Sequence, residues 1–194
     1  MGLNDTPLYN RVAGWYDAYV ENVYNEYNGD SEDIEKASEE QITSRINYMI
    51  KHPKYAWNFF KNKFLSTWTD SLFESIWSGP VTKMPVEGQK ITGRLMDSIY
   101  HGKTIYKLLY YFSALLLVVI YLSVIPSIFS QFIQKKSVNL YLLIPLIYLS
   151  GGFIFHLIWE TKSQYVYPYV YLLLPLSAFG LDYITTYVKE LRTS

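Results

Sequence analysis

Three long stretches without Asp, Glu, Lys or Arg constrain this chain more than any other feature. They run Leu108–Gln134, Ser137–Trp159 and Ser163–Leu181, and each has at least 19 residues. About 20 apolar residues cross a hydrocarbon core of roughly 30 Å as a helix. Backbone polar groups inside lipid must be satisfied within the segment, so such a stretch is expected to be helical. Pro126, Pro145, Pro168 and Pro175 are tolerable there. Tyr106, Tyr110, Tyr111, Trp159, Tyr165 and Tyr167 cluster near the proposed ends, as an interfacial aromatic belt does. The expected fold class is therefore all-α, a polytopic membrane protein with three transmembrane helices over about residues 108–130, 139–159 and 165–186. A buried soluble helical bundle is the competing reading, disfavoured by the length of the windows.

Charge divides the chain in two. Residues 1–104 carry 11 Lys/Arg and 14 Asp/Glu, and residues 105–194 carry 6 and 3. This break defines a polar, mostly helical extracytoplasmic or interfacial segment (1–104) ahead of a membrane region (105–194). The net charge is +0, which gives no reason to expect a nucleic-acid partner. Ten acidic residues among the first 40 read as a solvated surface. With no cysteine, disulfides, thiolate catalysis and Cys-based zinc sites are excluded. Orientation is not decided by charge. Lys135, Lys136, Lys189 and Arg192 on one side balance Arg94, Lys103, Lys107 and Lys162 on the other.

In the polar half, "MGLNDTPLYN" lacks the basic and apolar regions of a secretory signal. Gly2–Thr6 fits a myristoylation pattern and Asn4-Asp5-Thr6 a glycosylation sequon, both short enough to arise by chance. A helix is expected from Asp30 or Ser31, with Glu32, Asp33 and Glu35 at its positive end and Pro53 marking its stop. Ile34, Ile42, Ile46, Met49 and Ile50 form its apolar face. A second helix follows in "KYAWNFFKNKFLSTW". Ala56, Phe59, Phe60, Phe64 and Trp68 make its aromatic stripe, with Lys54, Lys61 and Lys63 placed elsewhere. Such a helix either lies in a membrane interface or packs on a soluble core. Ser78–Gly93 reads as loop from its glycines and prolines.

No phosphate-binding glycine loop is present, and Gly151-Gly152 reads as a site of close helix approach. His52, His101 and His156 lack metal-ligand spacing, so neither a metal nor another cofactor is expected. The exception to this blandness is "FHLIWETKSQY". Glu160, Lys162 and Gln164 fall in a short turn between two apolar stretches, and His156 lies about one helical turn before Glu160. A snorkelling surface hairpin would explain them. A site at the lipid headgroup level, with Lys162 facing a phosphate and Glu160 orienting it or a sugar hydroxyl, is the alternative to that default.

"HLIWETKSQYVYPYVYLLLPLSAFG" resembles the last helical hairpin of bacterial GT-C membrane glycosyltransferases, relatives of the dolichyl-phosphate-mannose protein mannosyltransferases. Glu160, Lys162, Ser163, Gln164, Tyr165, Pro168 and Pro175 carry the likeness. "MGLN" and "HPKYAWNFFKNKFLSTW" resemble the extracytoplasmic segment of Gram-positive members. Many relatives have Arg where this chain has Gln164. Family members have about ten or more membrane helices and a catalytic Asp in their first external loop, which nothing here matches. The resemblance implies a C-terminal part of an enzyme that moves a sugar from a polyprenyl-phosphate donor to a cell-envelope acceptor, inactive alone and partnered by a separate N-terminal membrane half. It implies a donor site of Glu160, Lys162, Gln164 and Tyr165, to which the helical spacing adds His156, with no catalytic residue assigned. It also implies a multi-pass protein of the cell membrane, its polar half outside and its C-terminus cytoplasmic. The alternative is a small non-enzymatic membrane protein, acting as a complex subunit or anchor.

Overall fold

The computed structural model describes residues 2–5, 13–76, 90–133 and 140–193, and among these the regular structure is entirely helical. Two compact units emerge. The first joins Met1–Trp68 to Gly151–Lys162, and the second joins Thr69–Ser150 to Ser163–Ser194.

In the first unit, α1 (Tyr19–Glu26), α2 (Ser31–Lys51) and α3 (Pro53–Trp68) follow one another closely. The N-terminus of α2 forms as expected. The Asp30 carboxylate accepts from the backbone N–H groups of Glu32 (3.0 Å) and Asp33 (3.2 Å), which have no partner within the helix. Asp30→Ala should therefore lower stability by about 1 kcal/mol, readable as a shift in the urea midpoint at constant slope. His52 leaves helical geometry ahead of Pro53, and Pro53 opens α3 at a position that has no N–H to waste.

The apolar face of α2 is only partly covered. Met49 is buried, whereas Ile42, Ile46 and Ile50 stay exposed. The α3 stripe finds its cover in the same unit. Phe59 and Trp68 are buried, and Phe153, from the last turns of α6 (Leu140–Ile158), sits 4.2 Å from Trp68 and 5.5 Å from Phe64 between ring centres.

The second unit holds α4 (Lys90–Tyr100), α5 (Thr104–Ile133), the start of α6, and α7 (Ser163–Thr193). Of the expected Ser78–Gly93 loop, residues 78–89 lie outside the described residues and Lys90–Gly93 are the first turn of α4. Val124, Leu173 and Leu176 form the core of this unit, joined by Ile120, Tyr121, Ile128, Leu146 and Leu149. A seam of small residues lets α5 and α7 approach closely. The Ser123 and Ser177 hydroxyls hydrogen-bond at 2.6 Å, and Gly180 faces the Ser123 carbonyl. At the head of α7 the Ser163 N–H donates to Glu74 Oε1 (2.9 Å) and its hydroxyl to Asp70 Oδ2 (2.6 Å). Two carboxylates thus meet the positive end of that helix.

The expectation of three transmembrane helices is overturned. Among the described residues one stretch, Thr104–Ser130 in α5, is long and apolar enough to cross a membrane. The apolar described part of α6, Leu143–Ile158, rises about 24 Å at 1.5 Å per residue, short of a core of roughly 30 Å. In α7, Tyr165, Tyr167, Tyr169 and Tyr171 dilute the apolar run, and Asp182, Lys189, Glu190 and Arg192 charge its second half. Freedom from charge over 19 residues is a weaker condition than sustained hydropathy. Within the α5 window 17% is buried, which leaves most of that apolar surface for lipid or a partner to cover.

Candidate functional site

The expected site residues divide between the units. His156, Glu160 and Lys162 belong to the first, and Gln164 and Tyr165, both exposed on the first turn of α7, belong to the second. The geometry of the first unit's share begins with α6. A helix end leaves its last carbonyls without intrahelical donors, and here they are buried. Lys63 answers them. Its side chain is 1% exposed, and Nζ donates to the carbonyls of Leu157 (2.9 Å), Trp159 (2.7 Å) and Gly2 (2.5 Å). The ammonium sits at the negative end of the α6 dipole. Its stem lies against Gly14, whose φ is +83° and where an added Cβ would come within 2.6 Å of Lys63 Cε. Burial pushes the Lys63 ammonium down to about 8.

The turn after α6 is tied down by a second set of bonds. Thr161 is fully buried, its N–H donating to the Gly14 carbonyl (3.1 Å) and its hydroxyl lying 3.0 Å from that of Thr67. The Thr67 hydroxyl also bonds the Lys63 carbonyl at 2.7 Å. With Thr161 pointing inward, its neighbours Glu160 and Lys162 are left half-buried and Trp159 exposed. His156 is not on a rim with them. It is buried, its Nδ1 3.4 Å from the Thr161 hydroxyl and its ring edge-on to Trp68. Burial, and then the Lys63 charge, hold its imidazole below its usual range.

Glu160 lines a groove of about 290 Å³ with Gly2, Leu3, Asn4, Gln41, Ile42, Arg45, Ile46, Ile158 and Trp159. Its walls are mainly apolar, which explains why α2 leaves Ile42 and Ile46 uncovered. Arg45 is neutralised in place by Asp5 (3.2 Å), and it also donates to the Tyr55 hydroxyl (2.7 Å) and the Leu3 carbonyl (3.1 Å). Lys162 makes no ion pair among the described residues. The groove thus sets a mainly apolar wall beside the Glu160 carboxylate.

Lys63, expected away from the aromatic stripe of α3, is buried on it. It follows Phe59 by four residues and Ala56 by seven, which puts it on the aromatic face. No protein-family model, curated protein or solved structure matches the chain.

Proposed function

We propose that this chain is membrane-associated and binds the lipid-phosphate headgroup of a polyprenyl-linked sugar donor, as part of a membrane glycosyltransferase acting on the cell envelope. The observation that carries this reading is the turn itself. Thr161 and the α6 carbonyls are fastened inward, so Glu160 is held at an apolar groove, beside a Lys162 that makes no ion pair among the described residues. A lysine so placed meets a phosphate as a point charge, and Glu160 accepts from a sugar hydroxyl. The apolar surface of α5 supports membrane association. Met1–Trp68 and Gly151–Lys162 pack as one unit, so the polar N-terminal helices and the Glu160 turn share one side of a membrane, which we place outside. No catalytic base is assigned, so the chain by itself binds without turnover.

The test uses the full chain in phosphatidylcholine nanodiscs containing polyprenyl phosphate. Lys162→Gln should weaken binding by about 1.5–3 kcal/mol, roughly tenfold or more, because a hydrogen bond to a charged group is lost. Equal affinity in the two proteins, both folded, would remove the site. A second reading, a non-enzymatic subunit, draws on the uncovered surface of α5. It requires stable membrane insertion with no affinity for polyprenyl phosphate in the wild type.

A further inference from the structure

We propose that Lys63 is the positioning residue of the Trp159–Lys162 turn, and that the number of protons on its amine sets the conformation of that turn. What the turn presents rests on the lipid-phosphate reading, but the positioning does not.

Three carbonyls from two distant segments converge on one nitrogen. An ammonium has three N–H donors, one for each carbonyl, whereas a neutral amine has two and a lone pair. Loss of one proton must therefore leave a carbonyl without its donor. Leu157 O and Trp159 O flank the end of α6, so releasing either changes how the chain leaves the helix toward Glu160. The nitrogen cannot simply swing into water, because its stem is enclosed against Gly14 and the side chain is 1% exposed. The Thr67–Thr161 bond and the Thr161–Gly14 bond hold the far end of the turn. The contact to Gly2 is the shortest of the three (2.5 Å) and those to Trp159 (2.7 Å) and Leu157 (2.9 Å) are longer, so we assign the released carbonyl to the end of α6 and the adjustment to Trp159 and Glu160.

Other ionisable groups lie on the segments around Nζ. They are His156 on α6, Glu160 and Lys162 in the turn, Tyr16 and Asp17 after Gly14, and Asp5 after Gly2, which pairs with Arg45. Asp17 is engaged by the Asn4 side chain and the Tyr19 N–H. His156 is held below its ordinary 6.5 by burial and by the Lys63 charge. Tyr16 is pushed up to about 12, first by its hydrogen bond to Glu21. Neither His156 nor Tyr16 titrates near pH 8, where burial places Lys63.

The experiment incorporates 5-fluorotryptophan into the full chain in detergent micelles and follows the Trp159 fluorine resonance with pH, assigned through Trp159→Phe. Exposed Trp57 on α3 is the internal control. In the wild type the Trp159 resonance should move as pH rises through about 8 while that of Trp57 stays put. In Lys63→Met the Trp159 resonance should be fixed across the same range. An unchanged Trp159 titration in Lys63→Met would overturn the proposal. If that variant does not fold, the wild type decides. The Lys63 13Cε and Trp159 fluorine resonances should share a midpoint, and midpoints more than about one pH unit apart would overturn it. No ligand is present, so failure here removes the positioning role alone, and failure of the nanodisc binding test removes the donor site alone.

Discussion

Lys63→Ala should cost the first unit about 3–5 kcal/mol, measured as the loss of unfolding free energy in urea. The three buried methylenes beyond Cβ account for about 2.4 kcal/mol at roughly 0.8 each. Carbonyls left without a donor add to this. Lys63→Met keeps most of the stem and removes only the donors, so it should cost less, about 1–3 kcal/mol. Equal costs would mean that the stem contributes nothing, and no cost in Lys63→Met would mean that the ammonium contributes nothing. The pH dependence separates the terms further. The folded protein releases the Lys63 proton at about 8, whereas the ordinary value is 10.5. Between these values the unfolded chain holds more protons, so stability rises with pH, by up to about 1.4 kcal/mol per unit. That rise should be measured between pH 8 and 9.5, ahead of tyrosine ionisation, and should vanish in Lys63→Met. A neutral amine costs less to bury even though it donates only twice, so a gain in stability and a change in the turn occur together.

Gly180→Val should disrupt the second unit by about 3 kcal/mol or more. A Cβ at Gly180 would lie 1.7 Å from the Ser123 carbonyl oxygen and 2.8 Å from its carbon, both backbone atoms that cannot rotate aside. The helices must separate, and the 2.6 Å Ser123–Ser177 bond and the packing of Val124 on Leu173 and Leu176 go with them. Gly180→Ala should share most of the effect, because the first added carbon already makes the clash. Thermal unfolding in detergent micelles tests this, with Gly151→Ala as the control, since nothing stands within 4 Å of a Cβ there. Equal melting temperatures for the two alanine variants would refute the close approach of α5 and α7.

These features differ in how plainly they are written in the sequence. Asp30 and Pro53 are legible because capping and ring geometry act within a few residues. The helical character of α5, α6 and α7 is legible from their long uncharged windows. The number of membrane spans is not, because an uncharged window such as Ser163–Leu181 still mixes tyrosine with leucine. Lys63 is harder still. A lysine reads as solvated by default, and only its register with Ala56 and Phe59 hints otherwise. Its partners, Gly2, Leu157 and Trp159, contribute main-chain carbonyls, which no residue type announces. Within the expected site, the turn was legible, but the inward burial of His156 depends on Trp68 and Lys63, far away along the chain.

The first unit is assembled from two pieces of chain, and this has a consequence for its synthesis. Lys63 meets carbonyls that are 94 and 96 residues later, and Thr67 meets Thr161 at a separation of 94. When α3 leaves the ribosome it has neither Phe153 to cover Trp68 nor a helix end to receive its lysine. Nascent α1–α3 must therefore wait, with an aromatic face open, until all of α5 and α6 have been made. Contacts of such long sequence separation slow folding and prolong the exposure of apolar surface. Arrested chains that end before Gly151 should be cut readily by protease within α3, and chains extended past Lys162 should be protected there. The vulnerable interval in the life of this protein is thus set by the length of chain that separates α3 from its cover.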